Sequence, residues 1–347
     1  ETLVSGERIK KSRSRLLSEL TVLSERYGEV AAVRRIRRLE ELRLGTMFLN
    51  KVIGVAALMR SITKTAEAVL VSLTAKSPSL TVVALGKMGA REMTFNSDLD
   101  IIFLMQNDPS AEDSKEAQLI LKALMSYTKD GLAYSVDTRL RPDGSKGPLV
   151  NSLNGLKDYY FKNAHTWELQ ALLKARPVCG MRYESCGMSF MELRKEVLMK
   201  RGAEITVSDI KKMRDRIQKE LSKETAGIYD IKLGSGGLEE LEFGIQYLQL
   251  KNCAKFTDIL VQGSINAIRR MSRNGILKNE DAVIMNDIYL FYRNIETILR
   301  LRNESLLKEG SDALRSAAGF MNMNENEFIT SLNEKKQWVN NFWNNLI

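Results

Sequence analysis

Residues 85–104 read LGKMGAREMTFNSDLDIIFL, and they join two features that an ordinary strand would not combine. The end of the run, LDIIFL, is a β-branched and aromatic stretch of the kind that forms a buried strand. Its start carries Asp98 and Asp100. Alternate side chains of a strand share a face, so the two carboxylates point the same way while Leu99 and Ile101 point the other. Two half-buried carboxylates side by side repel, which is costly unless something positive sits between them.

A third acid follows in LAYSVDTRLRP, where alternation puts Asp137, Arg139 and Arg141 on one face of an expected strand stopped by Pro142. If these strands neighbour each other, three carboxylates and two guanidiniums face one cleft. That donor set suits magnesium, which takes oxygen ligands and keeps several waters beside substrate phosphates. A pair of such ions clamps the attacking and leaving oxygens of an in-line displacement at phosphorus, with arginines holding the remaining phosphate charge. Gly86, Lys87 and Gly89 in LGKMGARE have the form of a phosphate cradle, since glycine lets backbone N–H groups approach phosphate oxygens. The run is neither a GxxxxGK[ST] loop nor GxGxxG. Each motif alone is weak; together they read as metal-dependent nucleotidyl transfer.

The chain around this centre is of ordinary globular composition: 347 residues, 44% hydrophobic and 27% charged. Five prolines, 7% aromatics and long Leu/Lys/Glu/Arg stretches favour a largely helical protein. A helical pattern spans residues 7–44 and a second 46–74, broken at the Lys76–Pro78 stretch KSP. SLTVVALG and DLDIIFLM read as strands, and residues 112–131 as a helix ending at Gly131. Beyond Tyr160 the pattern stays helical, except for the glycine-rich break DIKLGSGGLEELEF between Asp230 and Phe243. MFLNKVIGVAALM is too short to span a bilayer. A chain opening at Glu1 rather than Met reads as a piece of something longer.

The net charge of +9, from 52 basic and 43 acidic residues, favours an anionic partner. The basic run VRRIRRLEELR (residues 33–43) nevertheless reads as the solvated face of a helix, because Val33, Ile36 and Leu39 form the apolar stripe and Glu40 and Glu41 dilute the charge. That dilution and the few aromatics argue against nucleic acid. Cys179, Cys186 and Cys253 have neither disulfide nor zinc spacing and read as reduced thiols of a cytoplasmic protein. His165 reads as structural, and Trp167, Trp338 and Trp343 as core.

GKMGAREMTFNSDLDIIF, VDTRLRPDGSKGPLV, TWELQALLKARPVCG and DIKLGSGGLEELEFGIQYLQL resemble the successive signature blocks of glutamine synthetase adenylyltransferases. The resemblance implies an α+β, predominantly helical chain: a DNA-polymerase-β-like nucleotidyltransferase domain followed by a helical bundle domain. Residues 1–78 would be a helical lead-in packing on the catalytic domain, 79–180 the catalytic domain, and 181–347 the bundle. Family members carry two such catalytic domains. One attaches AMP from ATP to a tyrosine of glutamine synthetase, and the other removes it phosphorolytically, yielding ADP. This chain holds one signature set, so it resembles one half.

The resemblance implies that Asp98, Asp100 and Asp137 ligate magnesium, two ions in all, with Asp137 also orienting or deprotonating the attacking tyrosine. ATP, the substrate, would meet Gly86, Lys87, Gly89, Ser97, Arg139, Arg141, Lys174, Arg176, Lys232, Gly236 and Gly237. Glutamine synthetase would be the protein substrate, with a PII-type signal protein and glutamine as effectors of the full-length enzyme. The DLD triplet, the ELRLG lead-in and Glu239, where the removing half has arginine, point to the adenylylating half. Ala90 replaces the second glycine of the family's GKLGG, and Leu241 the isoleucine of its IEF. The removing half, an RNA-directed nucleotidyltransferase and a non-catalytic nucleotide-binding module are the competing readings.

Overall fold

The computed structural model describes residues 10–77, 79–178 and 184–346. They form two compact units, one drawn from residues 1–164 and 174–197, the other from 165–173 and 198–347.

The first unit opens with helices α1 (Arg13–Tyr27), α2 (Glu29–Leu49) and α3 (Val55–Leu73), which pack on one another. The leucine and valine spacing builds their shared core: Leu16 and Leu20 of α1, Val33, Ile36 and Phe48 of α2, and Leu58, Ile62, Ala66 and Val69 of α3 are all buried. The single helix expected over residues 7–44 is interrupted. Gly28 sits at φ +79°, a conformation that only glycine adopts without penalty, so it ends α1 and starts α2.

The sheet comprises β1 (Thr81–Ala84), β2 (Leu99–Met105), β3 (Val136–Asp137), β4 (Val150–Ser152) and β5 (Arg176–Val178). It is mixed. β1 runs antiparallel to both β2 and β5, while β3 and β4 run parallel to β2. β1 occupies one edge of β2; β3 and β4 share the other, β3 at the start of β2 and β4 at its end. Helix α4 (Gly86–Ala90) follows β1, and α5 (Ala111–Met125) makes the crossover that a parallel β2–β3 pair requires. Helix α5 starts at a capping box between Ser110 and Asp113 and ends six residues before the expected Gly131.

The strand expected from Leu132 to Arg141 shrinks to Val136–Asp137. Pro142 has no N–H to donate to a ladder, and Asp143 and Gly144 both turn at φ +57°. The chain therefore leaves the sheet after Asp137 and returns as β4, which is followed by α6 (Leu153–Lys162).

Helix α7 (Thr166–Leu173) belongs to the second unit, and α8 (Glu184–Arg201) carries the chain into it. The rest of that unit is α9 (Val207–Leu221), α10 (Leu238–Asn252), α11 (Ser264–Arg273), α12 (Asn279–Leu301), α13 (Asp312–Phe320) and α14 (Glu325–Asn345). A two-stranded ladder of β6 (Ile228–Tyr229) and β7 (Leu307–Lys308) completes it. Its core is the apolar face of α10 (Leu241, Ile245, Leu250) against α12 residues such as Met285, Ile288 and Ile295. Of the three tryptophans only Trp343 is buried; Trp338 is half-buried and stacks on Phe342, and Trp167 is 42% exposed. Cys186 and Cys253 are buried free thiols, and Cys179 lies outside the described residues. No described helix is long and apolar enough to cross a membrane.

Candidate active site

The parallel pairing of β2 with β3 sets Leu99 beside Val136 and Asp100 beside Asp137. Side chains at paired positions of neighbouring strands, about 4.8 Å apart, share a face. The two carboxylates therefore stand side by side, with Asp98 two residues upstream on the same face, solvent-exposed. Asp100 is largely buried, and burial, Asp137 and Asp98, in that order, push its carboxyl up to about 6. Lys87 and Lys174 pull in the opposite direction. Hydrogen bonds from Arg139 hold the Asp137 carboxyl below its usual range. The Arg139 backbone N–H donates to Oδ1 at 2.8 Å, Nε donates to Oδ1 at 3.0 Å, and Nη2 donates to Oδ2 at 2.6 Å.

Gly86 shows why this stretch needs its first glycine. It adopts φ +50°, and a Cβ there would lie 2.0 Å from Asp100 Oδ2. The cradle glycine thus makes room for the central carboxylate itself. Gly89 admits a different neighbour: a Cβ would fall 2.0 Å from the Lys174 carbonyl oxygen and 2.7 Å from that of Ala84.

Arg176 lies behind the cradle. Its Nε donates to the Gly89 carbonyl at 2.8 Å, and its Nη2 to the Met88 carbonyl at 2.9 Å and to the Glu67 carboxylate. It braces α4 from the core side. Lys174 is buried, with Nζ 3.8 Å from Glu92. Arg141 clasps its own loop through the carbonyls of Thr138, Ser145 and Gly147 and the Thr138 hydroxyl. Ser97 Oγ accepts the Thr94 N–H at 3.0 Å and shapes the turn before Asp98. The exposed His165 contributes a backbone N–H to Glu168 at 2.8 Å, near the start of α7.

A donor set of three carboxylates, with no histidine or cysteine in it, is the chemistry of a hard divalent cation. The strained ionisation of Asp100 and the close fit of Gly86 against it suit a site that gains from a positive guest. Among the described residues no three His, Cys, Asp or Glu side chains already close round a single point.

Residues 71–190 match the glutamate-ammonia ligase adenylyltransferase family, and residues 209–347 match the GlnD PII-uridylyltransferase family. The bifunctional glutamine synthetase adenylyltransferase/adenylyl-removing enzyme of Thioalkalivibrio sulfidiphilus is 34% identical over 263 residues, covering 72% of this chain and 26% of that protein. The chain belongs to the glutamine synthetase adenylyltransferase family. Enzymes of the same name from Cutibacterium acnes (32% identical; 69% of this chain, 25% of theirs) and Mycolicibacterium smegmatis (34%; 68% and 24%) are similarly related. The chain spans about a quarter of the length of these relatives.

The adenylyltransferase match covers the acids, the cradle, Arg139, Arg141, Lys174 and Arg176. Lys232, Gly236 and Gly237 lie in the other matched stretch and in the second unit. There the glycine-rich turn is filled from within. Asp230 accepts the N–H groups of Lys232 and Leu233, Glu224 that of Ser235, and Glu240 that of Gly236. Tyr292 donates its hydroxyl hydrogen to the Gly236 carbonyl at 2.6 Å.

The arginine run reads as a solvated face, which holds for the exposed Arg38, but the structure corrects it for Arg34 and Arg37. Arg34 is fully buried: it donates to the carbonyls of Val30, Ala123, Ser126 and Gly131. Arg37 donates to the Ala133 carbonyl and lies over the Tyr134 ring at 4.5 Å, three residues before Asp137. Arg35 lies over Tyr27 at 3.8 Å. Helix α2 thus holds the connection from α5 to β3, and with it the position of Asp137. Arg34 and Arg37 are the site-positioning residues the sequence did not disclose. Apart from Val30 and Glu41 on the same helix, their acceptors lie 89 to 97 residues along the chain, and the one local signal is an arginine next to the buried stripe of Val33 and Ile36.

Proposed function

We propose that this chain is a magnesium-dependent nucleotidyltransferase, with a polymerase-β-like catalytic domain, that transfers AMP from ATP to a tyrosine of glutamine synthetase. The observation that carries the reading is the side-by-side setting of Asp100 and Asp137 across β2 and β3, with Asp98 on the same face. Asp98, Asp100 and Asp137 would hold the metal. Bound there, magnesium supplies charge neutralisation for the triphosphate and acidity for the attacking hydroxyl. Lys87 and Lys174, both felt by Asp100, would hold phosphate charge, and Gly86 leaves room for the Asp100 carboxylate beside the cradle.

In the transfer the phenolic oxygen bonds to the α-phosphorus, the bond from that phosphorus to the bridging oxygen breaks, and pyrophosphate leaves. The phenolic proton must go to a base, because an unperturbed phenol titrates near pH ~10. Asp137 would orient that hydroxyl and take its proton, because the Arg139 hydrogen bonds that hold its carboxyl low are released when Arg139 turns to the phosphates. Arg139, paired with it here and well exposed, would turn to the phosphates when they arrive. Arg141 and Arg176 act indirectly, by holding the loop and the cradle in shape. The sequence signatures DLD, ELRLG and Glu239 support the adenylylating direction.

The test is a pair of assays with magnesium. Unmodified glutamine synthetase with ATP is expected to gain AMP, and adenylylated synthetase with phosphate to keep it. Removal of AMP in the second tube with none gained in the first assigns the chain to the removing half. No reaction in either tube refutes the enzymatic reading.

A further inference from the structure

Helix α2, the 127–135 segment and the turn before β2 enclose a cleft of about 350 Å³. One wall is Asp98 itself, and a second acid, Glu41, also borders it; Arg38, Asn96, Tyr127 and Leu132 are among the other lining side chains, beside Gly131. Arg37 also borders it, but its guanidinium is committed to Glu41 and the Ala133 carbonyl. Arg38 is exposed and makes no hydrogen bond or ion pair among the described residues. The Arg38 guanidinium lies against Gly131, where a Cβ would come within 2.7 Å of it. Tyr127 is 86% exposed, and its ring and hydroxyl have no partner among the described residues. The cleft is mostly polar, and an arginine and a tyrosine with no partner among the described residues are side chains that dominate protein recognition sites.

The sheet order says which reactant this cleft serves. In the sequence β3-β2-β1-β5, the cradle with Lys87 follows β1 and Lys174 precedes β5, so both lysines sit on the β1 side of Asp100, while the exposed Arg139, just past β3, is long enough to reach phosphates from beside Asp137. The cleft lies on the opposite side, at the β3 edge. An in-line displacement at phosphorus needs the nucleophile opposite the leaving group. With the phosphates on the lysine side, the nucleophile enters from the cleft. One free guanidinium offers too few converging donors for a triphosphate, whereas guanidinium, aromatic ring and amide together fit a polypeptide.

We infer that this cleft seats the acceptor segment of the protein substrate, an extended stretch with an acidic side chain paired to Arg38 and an apolar one against Tyr127. The inference rests on the transferase reading above and adds to it where the acceptor docks. Arg38→Ala and Tyr127→Ala in the full chain test it, by kinetics at varied glutamine synthetase and at varied ATP and by direct binding of the synthetase. Each variant should raise the KM for synthetase, and its binding constant, about tenfold. The KM for ATP and the melting temperature should not move. The salt dependence of synthetase binding should weaken in Arg38→Ala alone. A rise in the KM for ATP without one for synthetase would hand the cleft to the nucleotide and overturn the inference. So would two variants indistinguishable from the parent in both acceptor readouts. A parent chain that binds synthetase but transfers nothing would sink the transferase reading, while a tenfold loss of binding in the variants would still support docking here.

Discussion

The molecule has two glycine-rich turns that look alike as sequence, LGKMGAR at residues 85–91 and DIKLGSGG at residues 230–237, and the structure treats them oppositely. In the first, Gly86 yields its Cβ space to the carboxylate of Asp100, an acid that is itself pushed toward protonation by burial and by two neighbouring acids. In the second, the backbone amides that would greet an incoming anion already bond to Asp230, Glu224 and Glu240, and the Glu240 carboxylate is also paired with Arg214. Glycine marks close approach in both places. What approaches differs: an under-satisfied carboxylate in the first turn, fully satisfied ones in the second. Excess electrostatic strain is the signature of a site that awaits a partner, and satisfied polar groups are the signature of a structural joint.

The sharpest test of that contrast removes one charge from each turn. Asp100→Asn should cut transfer by about 10³-fold or more, while the metal-free protein becomes more stable at pH 7.5. Glu240→Gln should act in the opposite sense, costing about 2 kcal/mol of stability with ATP affinity unchanged, because the Gly236 N–H and Arg214 lose a charged acceptor. Thermal melting with and without magnesium, together with ATP titration, separates the two. Tighter ATP binding in Glu240→Gln would mean that the second turn is a cradle blocked by its own acid.

Adding a methyl group to each turn comes next. Gly86→Ala should lower turnover about 100-fold by displacing the Asp100 carboxylate, a misplacement of ångström scale. Gly236→Ala combines φ +70° with a Cβ 2.2 Å from the Lys336 carbonyl oxygen, which is backbone and cannot swing away. Its expected effect is a stability loss of about 3 kcal/mol. A Gly86→Ala protein with full activity would break the link between the first turn and the acids.

The pH dependence of the metal-free chain carries a smaller effect of definite sign. Burial and the neighbouring acids push the folded-state Asp100 carboxyl up to about 6 from its ordinary 3.8, so the folded chain binds more protons between those values. Its contribution to stability is fully present below pH 3.8 and is lost as pH rises through about 6. The loss amounts to up to about 3 kcal/mol. Asp100→Asn should abolish that slope, so melting curves of parent and variant converge near pH 4 and diverge toward pH 7. The smallest expected effect is that of Arg139→Gln. It should raise the Asp137 carboxyl toward its usual range, read by carboxyl NMR titration, without a measurable change in melting temperature, since Arg139 is 77% exposed.

What could be read from the chain alone was whatever a local pattern encodes. The DLD triplet at the head of an apolar run dictates that Asp98 and Asp100 share a face, because strand alternation is a property of the backbone. The change of period near Ser79 marks the sheet, and the glycines at 86 and 89 mark close packing against the backbone there. The sequence could not state which groups pack. Arg34 and Arg37 look like a solvated face by composition, but a guanidinium is buried wherever enough carbonyls converge on it, and the carbonyls of residues 123–133 come from a distant part of the chain. Arg141 alternates with Asp137 on paper, yet the strand ends at Asp137, where Pro142 and the turn at Asp143 and Gly144 lead the chain away, and Arg141 bonds to the carbonyls of its own loop. The sequence by itself determined that two carboxylates meet on one strand. Only the tertiary structure decided which third acid stands beside them, which arginines hold it there, and which glycine turn remains open, because those depend on pairing between segments that local backbone geometry does not specify.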